Sequence, residues 1–345
     1  MMKLLRILLF PFAIIYDIVT AIRNVLFDLG LLKSNSFKTP TIVVGNLSVG
    51  GTGKTPQIEY LIKLLKTRYS IGVLSRGYGR ASKGFILAET RHTASDIGDE
   101  PLQFYNKFDD LTVAVDEQRV RGIQNLEQLN TAPEVILLDD AFQHRKVKAG
   151  FSILLTKFDA LFPNDFLLPT GNLRERRAGA KRADVLIVTK CPEEIETIHQ
   201  DEIAFLLRRY FKGPIFFTTI QYSSILKSNT TAEITTESLV DYEVLLVTGI
   251  ANPKPLLAHL SKLNCVFTHE NFPDHHQFST SEVLDLKKKF DTMKSLKKII
   301  LTTEKDFVRL THQIDALYYL EIETKFVAKQ SEFDQLIQNY IKPSL

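Results

Sequence analysis

The sequence predicts an α/β protein: a P-loop NTPase-like parallel sheet flanked by helices, a second, smaller α/β domain after it, and an amphipathic membrane helix at the N-terminus. Short, continuously apolar runs alternate with amphipathic helical stretches, which is the pattern of strands covered on both faces. The first of these runs leads straight into "GNLSVGGTGKTP", residues 45–56, a glycine-rich loop that ends in Gly-Lys-Thr. The alternation restarts after a Ser/Thr-rich stretch at about 221–242, read as a connector. The division expected from these features is an N-terminal interfacial helix at 1–36, a phosphate-loop domain at 37–222 and a smaller C-terminal domain at 223–345.

Bulk properties agree with this and narrow the function. The chain has 345 residues, 44% of them apolar, enough for two cores. A net charge of +3 supplies no global field for nucleic acid, so none is expected as a partner. Cys191 and Cys265 lie far apart and form no C-x-x-C, which suits a reducing cytosol and excludes a disulfide framework.

The first 32 residues are strongly apolar, but their longest uncharged run, 7–16, is well short of the ~20 residues that span a bilayer. Asp17, Thr20, Asn24 and Asp28 recur at spacings of three and four and form a narrow polar stripe on a helix expected to kink near Pro11. Such a helix either lies in a membrane interface or packs on its own domain. Its terminal position and the basic Lys3 and Arg6 favour membrane contact.

Strands follow at "TIVVGN", "IGVLS", "LTVAV", "EVILLDD", "FSILLT" and "ADVLIVTK", with a helix after the glycine loop that puts Ile58, Leu61, Ile62 and Leu65 on one face. Sheets of this type carry their sites at the carboxyl ends of the strands. The glycine loop, Arg76, Asp139, Asp140 and Lys190 all fall there. The second domain reads "EVLLVTGIANP", a helix from about residue 255 to 263, "CVFTHENFPDHHQF", "KKIILTTEKDFVRL" and "ALYYLEIET".

The loop departs from G-x-x-x-x-G-K-[ST] at one position, Ser48 in place of the first glycine. Ser48, Val49, Gly50, Gly51, Thr52, Gly53, Lys54 and Thr55 are the expected nucleotide-binding residues. Three glycines still let the amides curl towards one point, Lys54 brings positive charge to the β- and γ-phosphates, and Thr55 brings a hydroxyl to Mg²⁺. A tight turn alone would need the glycines but not Lys-Thr between an apolar strand and an amphipathic helix. "VILLDDAFQH" fits the partner strand, with Asp139 and Asp140 as metal-site carboxylates. Thr189-Lys190 are followed by Cys191-Pro192 and not by the aspartate of a guanine reader, so ATP is expected over GTP.

With "LSRGYGR", "GDEP", "LPTGNLRE", "TGIANP", "FPDHHQF" and "TTEKDFVRL" in the same order, the chain closely resembles the tetraacyldisaccharide 4'-kinase (lipid A 4'-kinase) family over nearly its whole length. A small hydroxyl residue at position 48 is usual in that family. Arg176 departs from it, since many members have proline after "LRE". The resemblance implies ATP- and Mg²⁺-dependent phosphorylation of the 4'-hydroxyl of a tetraacylated disaccharide 1-phosphate. It also implies peripheral attachment at the cytoplasmic face of the bacterial inner membrane. Each buried CH₂ is worth roughly 0.8 kcal/mol, so the lipid stays in the bilayer and the enzyme must come to it.

Residue roles follow from the same resemblance. Read from the residues alone, Asp99 is a helix N-cap before Pro101. The resemblance makes it the general base, paired with His275 from the second domain, and makes Glu100 a metal-site carboxylate. His276 is the substitute should His275 not be the partner. Adjacent histidines rarely converge on one ion, so no zinc site is expected. Arg174 and His144 are assigned to the substrate headgroup, with Arg119 and Arg76 as further phosphate contacts. Glu304, Asp306 and Asn252 are expected to shape the nucleotide site or the contact between domains. The alternative is a P-loop ATPase acting on a protein or metal partner. The loop resembles that of partitioning and metal-insertion ATPases, though Val49 stands where many carry a further lysine.

Overall fold

The protein is described from a computed structural model at residues 8–230 and 233–342, so Lys3 and Arg6 lie outside the described residues. The first described helix, α1, runs Phe10–Asp28. Pro11 sits in its first turn, where a missing N–H does no harm, and so it starts the helix and does not kink it. Strand β1 (Thr41–Asn46) is buried throughout and leads into helix α2 (Lys54–Leu65). Then come β2 (Ile71–Ser75), the short β3 (Ile86–Leu87), α3 (Ala94–Ile97), α4 (Asp99–Lys107), β4 (Thr112–Val115), α5 (Arg119–Glu127) and β5 (Val135–Asp139). Strands β6 (Phe151–Lys157) and β7 (Val185–Thr189), helix α6 (Thr197–Leu207) and strand β8 (Ile215–Tyr222) complete the outward run.

With β15 (Ile322–Phe326), a late strand of the chain, these strands form one nine-stranded sheet in the order β15-β8-β7-β6-β1-β5-β2-β4-β3. From β1 through β8 the pairing is parallel except at the β3 edge. β1 lies between β5 and β6, and Val44 is in register with Asp139. The glycine loop and the two aspartates therefore leave the sheet side by side. Separate apolar clusters cover its two faces, one with Ile58, Leu61 and Leu65 of α2 and the other with Leu126, Leu207 and Phe211.

The second sheet has the order β10-β9-β14-β13-β11-β12. It contains β9 (Ile225–Ser228), β10 (Ile234–Thr235), β11 (Glu243–Thr248), β12 (Val266–Asn271), β13 (Lys298–Thr303) and β14 (Leu317–Leu320). Helices α7 (Lys254–Lys262), α8 (Thr280–Thr292) and α9 (Glu304–Leu310) connect them. Most of the 221–242 stretch is thus more than a connector, because β9 and β10 build the edge of this sheet.

The C-terminal boundary also differs from the sequence reading. The run 316–324 divides at Glu321. β14 stays in the second sheet, whereas β15 (Ile322–Phe326) pairs antiparallel with β8, and α10 (Gln330–Ile341) buries Phe333, Ile337 and Ile341 against the first core. Residues 322–341 therefore lie with the first sheet and not in the second domain. The antiparallel edge covers strand β8, whose open side would otherwise leave backbone groups unpaired.

At that crossing, Lys107 Nζ sits 2.7 Å from Glu59, 2.9 Å from Glu304 and 2.6 Å from Glu321, all four side chains being buried. Burial, and then the nearby Glu59 charge, push the Glu304 carboxyl up, while the Lys107 ammonium between the three carboxylates opposes that rise. Glu304 thus belongs to the contact between the two units.

Candidate active site

The glycine loop occupies the turn between β1 and α2. Gly50 (φ 100°) and Gly53 (φ 86°) take left-handed conformations that a Cβ would strain, and Gly53 caps α2. The loop is braced from outside itself. Thr189 Oγ1 donates to the Thr52 carbonyl (2.8 Å) and Lys190 Nζ to the Gly51 carbonyl (2.8 Å). On its other flank the Val49 N–H donates to the Asn172 carbonyl (2.8 Å) and the Arg174 N–H to the Leu47 carbonyl (2.7 Å). Ser48 forms a bridge with Leu173, so position 48 belongs to a small strand-like contact where the simple motif has glycine. Lys54 and Thr55 open α2, whose N-terminal amides and positive dipole end face the loop.

Asp139 and Asp140 have different environments. Asp139 is fully buried and accepts from Ser75 Oγ (3.1 Å) through Oδ2, while its Oδ1 has no hydrogen-bond partner among the described residues. Burial, reinforced by the charges of Asp140 and Glu100, raises its carboxyl to about 6. Both oxygens of Asp140 accept from Arg174 Nη1 at 2.9 Å, and Lys54 Nζ stands 3.7 Å away. Burial opposes its charge, but Lys54 and Arg174 hold its carboxyl below the ordinary range. A buried, unpartnered carboxylate oxygen beside the lysine and the first turn of α2 fits a divalent cation bound with nucleotide phosphate.

Arg119 is buried behind this pair. It donates to the Asp116 carbonyl and, through Nη2, to the Asp139 carbonyl at 3.1 Å, so its guanidinium braces the end of β5. Burial pushes it down to about 10. Burial also lowers His144 to about 4, with Arg119 and Arg76 adding to the effect, so His144 is neutral at physiological pH. Arg76 is exposed at the end of β2.

Asp99 is not an N-cap. Gly98 occupies that position, and Asp99 begins α4 with its side chain turned to the second unit. His275 Nδ1 lies 2.9 Å from Asp99 Oδ2, and Arg309 grips both carboxylate oxygens, with Nε donating to Oδ1 at 2.8 Å. Burial opposes ionisation of Asp99, but the hydrogen bonds from His275 and Arg309 prevail and hold it at about 2. Lys305 Nζ lies 3.0 Å from His275 Nε2. An ammonium can only donate there, so Nε2 accepts and Nδ1 carries the proton towards Asp99. His276 turns away to Glu282 (3.0 Å). Glu100 follows Asp99 in the first turn of α4, and its charge helps raise both the Asp139 carboxyl and the Arg309 guanidinium.

Arg309 was not singled out from the sequence. The signal available was a lone arginine on a helix otherwise burying Val308 and Leu310. Asp306 backs the site without touching Asp99: its Oδ1 lies 3.5 Å from Arg309 Nη1. It accepts from the Gly249 N–H (2.8 Å) and the Thr303 hydroxyl (2.7 Å), pinning the "TGIANP" turn. Asn252 caps the start of α7 through the Lys254 N–H (3.2 Å).

Helix α1 lies against this site with its polar side inward. Tyr16 OH donates to the Arg174 carbonyl (2.7 Å), Asp17 pairs with Arg176 (2.5 and 2.9 Å), Asn24 donates to Glu175 (3.1 Å) and Asp28 pairs with Arg145 (2.6 Å). Phe12, Ile15, Val19 and Ile22, at spacings of three and four, stay more than half exposed.

Comparison with known proteins gives one answer. A family model described as tetraacyldisaccharide-1-P 4'-kinase matches residues 5–342. The tetraacyldisaccharide 4'-kinase of Flavobacterium psychrophilum is 52% identical over 99% of both chains. That of Bacteroides thetaiotaomicron is 44% identical over 97% of this chain and 93% of its own. Among solved structures, the "apo" form of LpxK from Aquifex aeolicus in complex with ATP is similar with a TM-score of 0.79 and 32% identity, over 98% of this chain and 99% of that one.

Proposed function

The chain belongs to the tetraacyldisaccharide-1-P 4'-kinase family, and on that premise we propose that it transfers the γ-phosphoryl group of ATP to the 4'-hydroxyl of a tetraacyldisaccharide 1-phosphate. The observation that carries the reading is the Asp99–His275 pair, in which Asp99 of the phosphate-loop unit meets His275 of the second unit at 2.9 Å, together with the Lys54–Asp139–Asp140 phosphate site of the same first unit.

In this reading the amides of residues 48–53 and the start of α2 hold the triphosphate, and Lys54 follows the β- and γ-phosphates as charge shifts between them. Magnesium would neutralise that charge, held by Thr55 and the free oxygen of Asp139, with Asp140 and Glu100 nearby. The 4'-oxygen forms a bond to the γ-phosphorus while the bond to the β–γ bridging oxygen breaks, so that ADP leaves. The hydroxyl proton passes to Asp99. A carboxylate held at about 2 is a feeble base, but a loose transfer asks for little proton removal before the new bond forms. Its first task is to aim the hydroxyl, and His275 and Arg309 fix its orientation for that. Arg174 and His144, with Arg76 at the rim, form the side from which the sugar phosphate would approach, while Arg119 supports them from behind.

The outward apolar face of α1 would sit in the membrane interface. The helix is long and apolar enough to cross a membrane by length and composition. Its docked residues, however, run from Tyr16 to Asp28, roughly 18 Å along the protein surface at 1.5 Å per residue. That favours a helix lying along a lipid surface, which for this substrate would be the cytoplasmic face of the inner membrane.

Incubation with γ-labelled ATP, magnesium and tetraacyldisaccharide 1-phosphate in mixed micelles tests the reading. Label in the lipid is expected. Label only in free phosphate would turn the assignment to an ATPase with a protein or metal partner.

A further inference from the structure

One short segment, residues 172–176, touches the phosphate loop, Asp140 and helix α1. Its backbone is bonded to the phosphate loop on both sides of Ser48, through the Val49 N–H to the Asn172 carbonyl and the Arg174 N–H to the Leu47 carbonyl. Its Arg174 side chain holds both oxygens of Asp140. Glu175, only 3% exposed, gathers Asn24, Gln143 (3.0 Å) and Arg182 (2.8 Å) on one carboxylate. The outer side of the segment is fastened to α1 by the Tyr16 hydroxyl on the Arg174 carbonyl and by the two-bonded Asp17–Arg176 pair. The same residue whose guanidinium sets Asp140 thus has its carbonyl set by the apolar helix.

We infer that residues 172–176 form a strap between α1 and the phosphate loop, and that Tyr16, Asp17 and Asn24 are positioning residues for phosphoryl transfer. The helix is part of the active-site framework as well as an attachment device. Its inward stripe fixes the path of the strap, and its outward face is free to meet lipid. The inference rests on the kinase reading above and extends it.

The test separates attachment from positioning. A variant carrying Tyr16→Phe, Asp17→Asn and Asn24→Ala keeps every outward apolar side chain. It is compared with the unchanged protein for kcat and both KM values in mixed micelles, and for sedimentation with anionic phospholipid vesicles. Three side-chain contacts are lost, and kcat is expected to fall about tenfold, about 1.4 kcal/mol, with sedimentation retained. The charge-swapped pair Asp17→Arg with Arg176→Asp should recover most of the kcat lost by either single change, while the urea midpoints of the single variants stay close to that of the unchanged protein, as expected of an exposed ion pair. Unchanged kcat in the stripe variant, or a swap that recovers nothing, overturns the inference. Failure of the kinase reading looks different, because the unchanged protein itself would then leave the lipid unlabelled.

Discussion

The phosphate loop and the Asp99 corner are the two halves of one site, and they are built in opposite ways. The loop is a single run of sequence that presents backbone amides, shaped by two left-handed glycines and held by bonds to neighbouring strand ends. The Asp99 corner has no backbone scaffold of its own. Three charged or ionisable side chains, 176 and 210 positions apart in sequence, meet there across two sheets. The nucleotide end therefore exists wherever the first unit is folded, whereas the acceptor end exists only while the second unit is docked on it. Dipoles fixed by the fold are suited to holding a triphosphate, and side chains brought together from two units are suited to aiming the acceptor hydroxyl.

Replacing Lys54 with alanine attacks the loop where its only mobile charge lies. Turnover should drop by ~10³, the cost of removing one preorganised charge from a transferring phosphoryl group, with the thermal midpoint nearly unchanged. Unfolding at an appreciably lower temperature would show that the loop is not self-sufficient.

Arg309→Met should do the reverse. Removing one member of a buried bidentate pair strands the Asp99 carboxylate, and urea unfolding should register a loss of about 3 kcal/mol while a fluorescent ATP analogue still binds. Loss of nucleotide binding would mean the two halves are not separable.

Asp99→Asn keeps the shape and removes the charge. It should lower turnover by at least ~10², the lower range for a general base, and leave the KM for ATP within about twofold. A variant with near-normal turnover would reduce Asp99 to a docking contact.

The corner should also carry an acid signature. Its carboxyl, held at about 2 against an ordinary value near 3.8, contributes stability above about pH 4 that is lost as pH falls towards 2. The contribution is about 2 kcal/mol, and Asp99→Asn should flatten that limb of a stability–pH curve. An unchanged limb would place the acid sensitivity elsewhere.

The smallest effect is expected at the other junction between units. Burial and the Glu59 charge raise the Glu304 carboxyl, so its charge is the costly one in the cluster, and Glu304→Gln should change stability by less than ~1 kcal/mol in urea unfolding at pH 7. A larger loss would mean that Lys107 needs its charge.

Much of this was legible in the residues. Strands β1, β2 and β4 to β7 each announced themselves as apolar runs, because a strand covered on both faces has no reason to be polar, whereas the two-residue edge strand β3 did not. The phosphate loop was legible because its work is done by contiguous backbone. The ordered motifs pointed to the kinase family to which the chain belongs. The run "ALYYLEIET" was not legible as two strands. Each half is a good strand, and only the positions of β13 and β8 decide that Glu321 is where the chain changes sheets. Nor was Arg309, since an arginine in an amphipathic helix ordinarily faces water.

The N-terminal helix marks the division most sharply. Its sequence fixed a period, a polar stripe on an apolar helix, because side-chain spacing along a helix is a local matter. Which side faces in is a tertiary matter, and here the polar side does. Glu175 and the Arg174 carbonyl offer the stripe sheltered partners, with Arg176 pairing Asp17 at the exposed rim, and buried polar groups need partners more than exposed apolar ones need cover. The sequence alone determined the chemistry of the site and the order of its parts. The tertiary structure decided which of those parts meet, because contact between distant charges depends on how two sheets are joined and no local pattern encodes that.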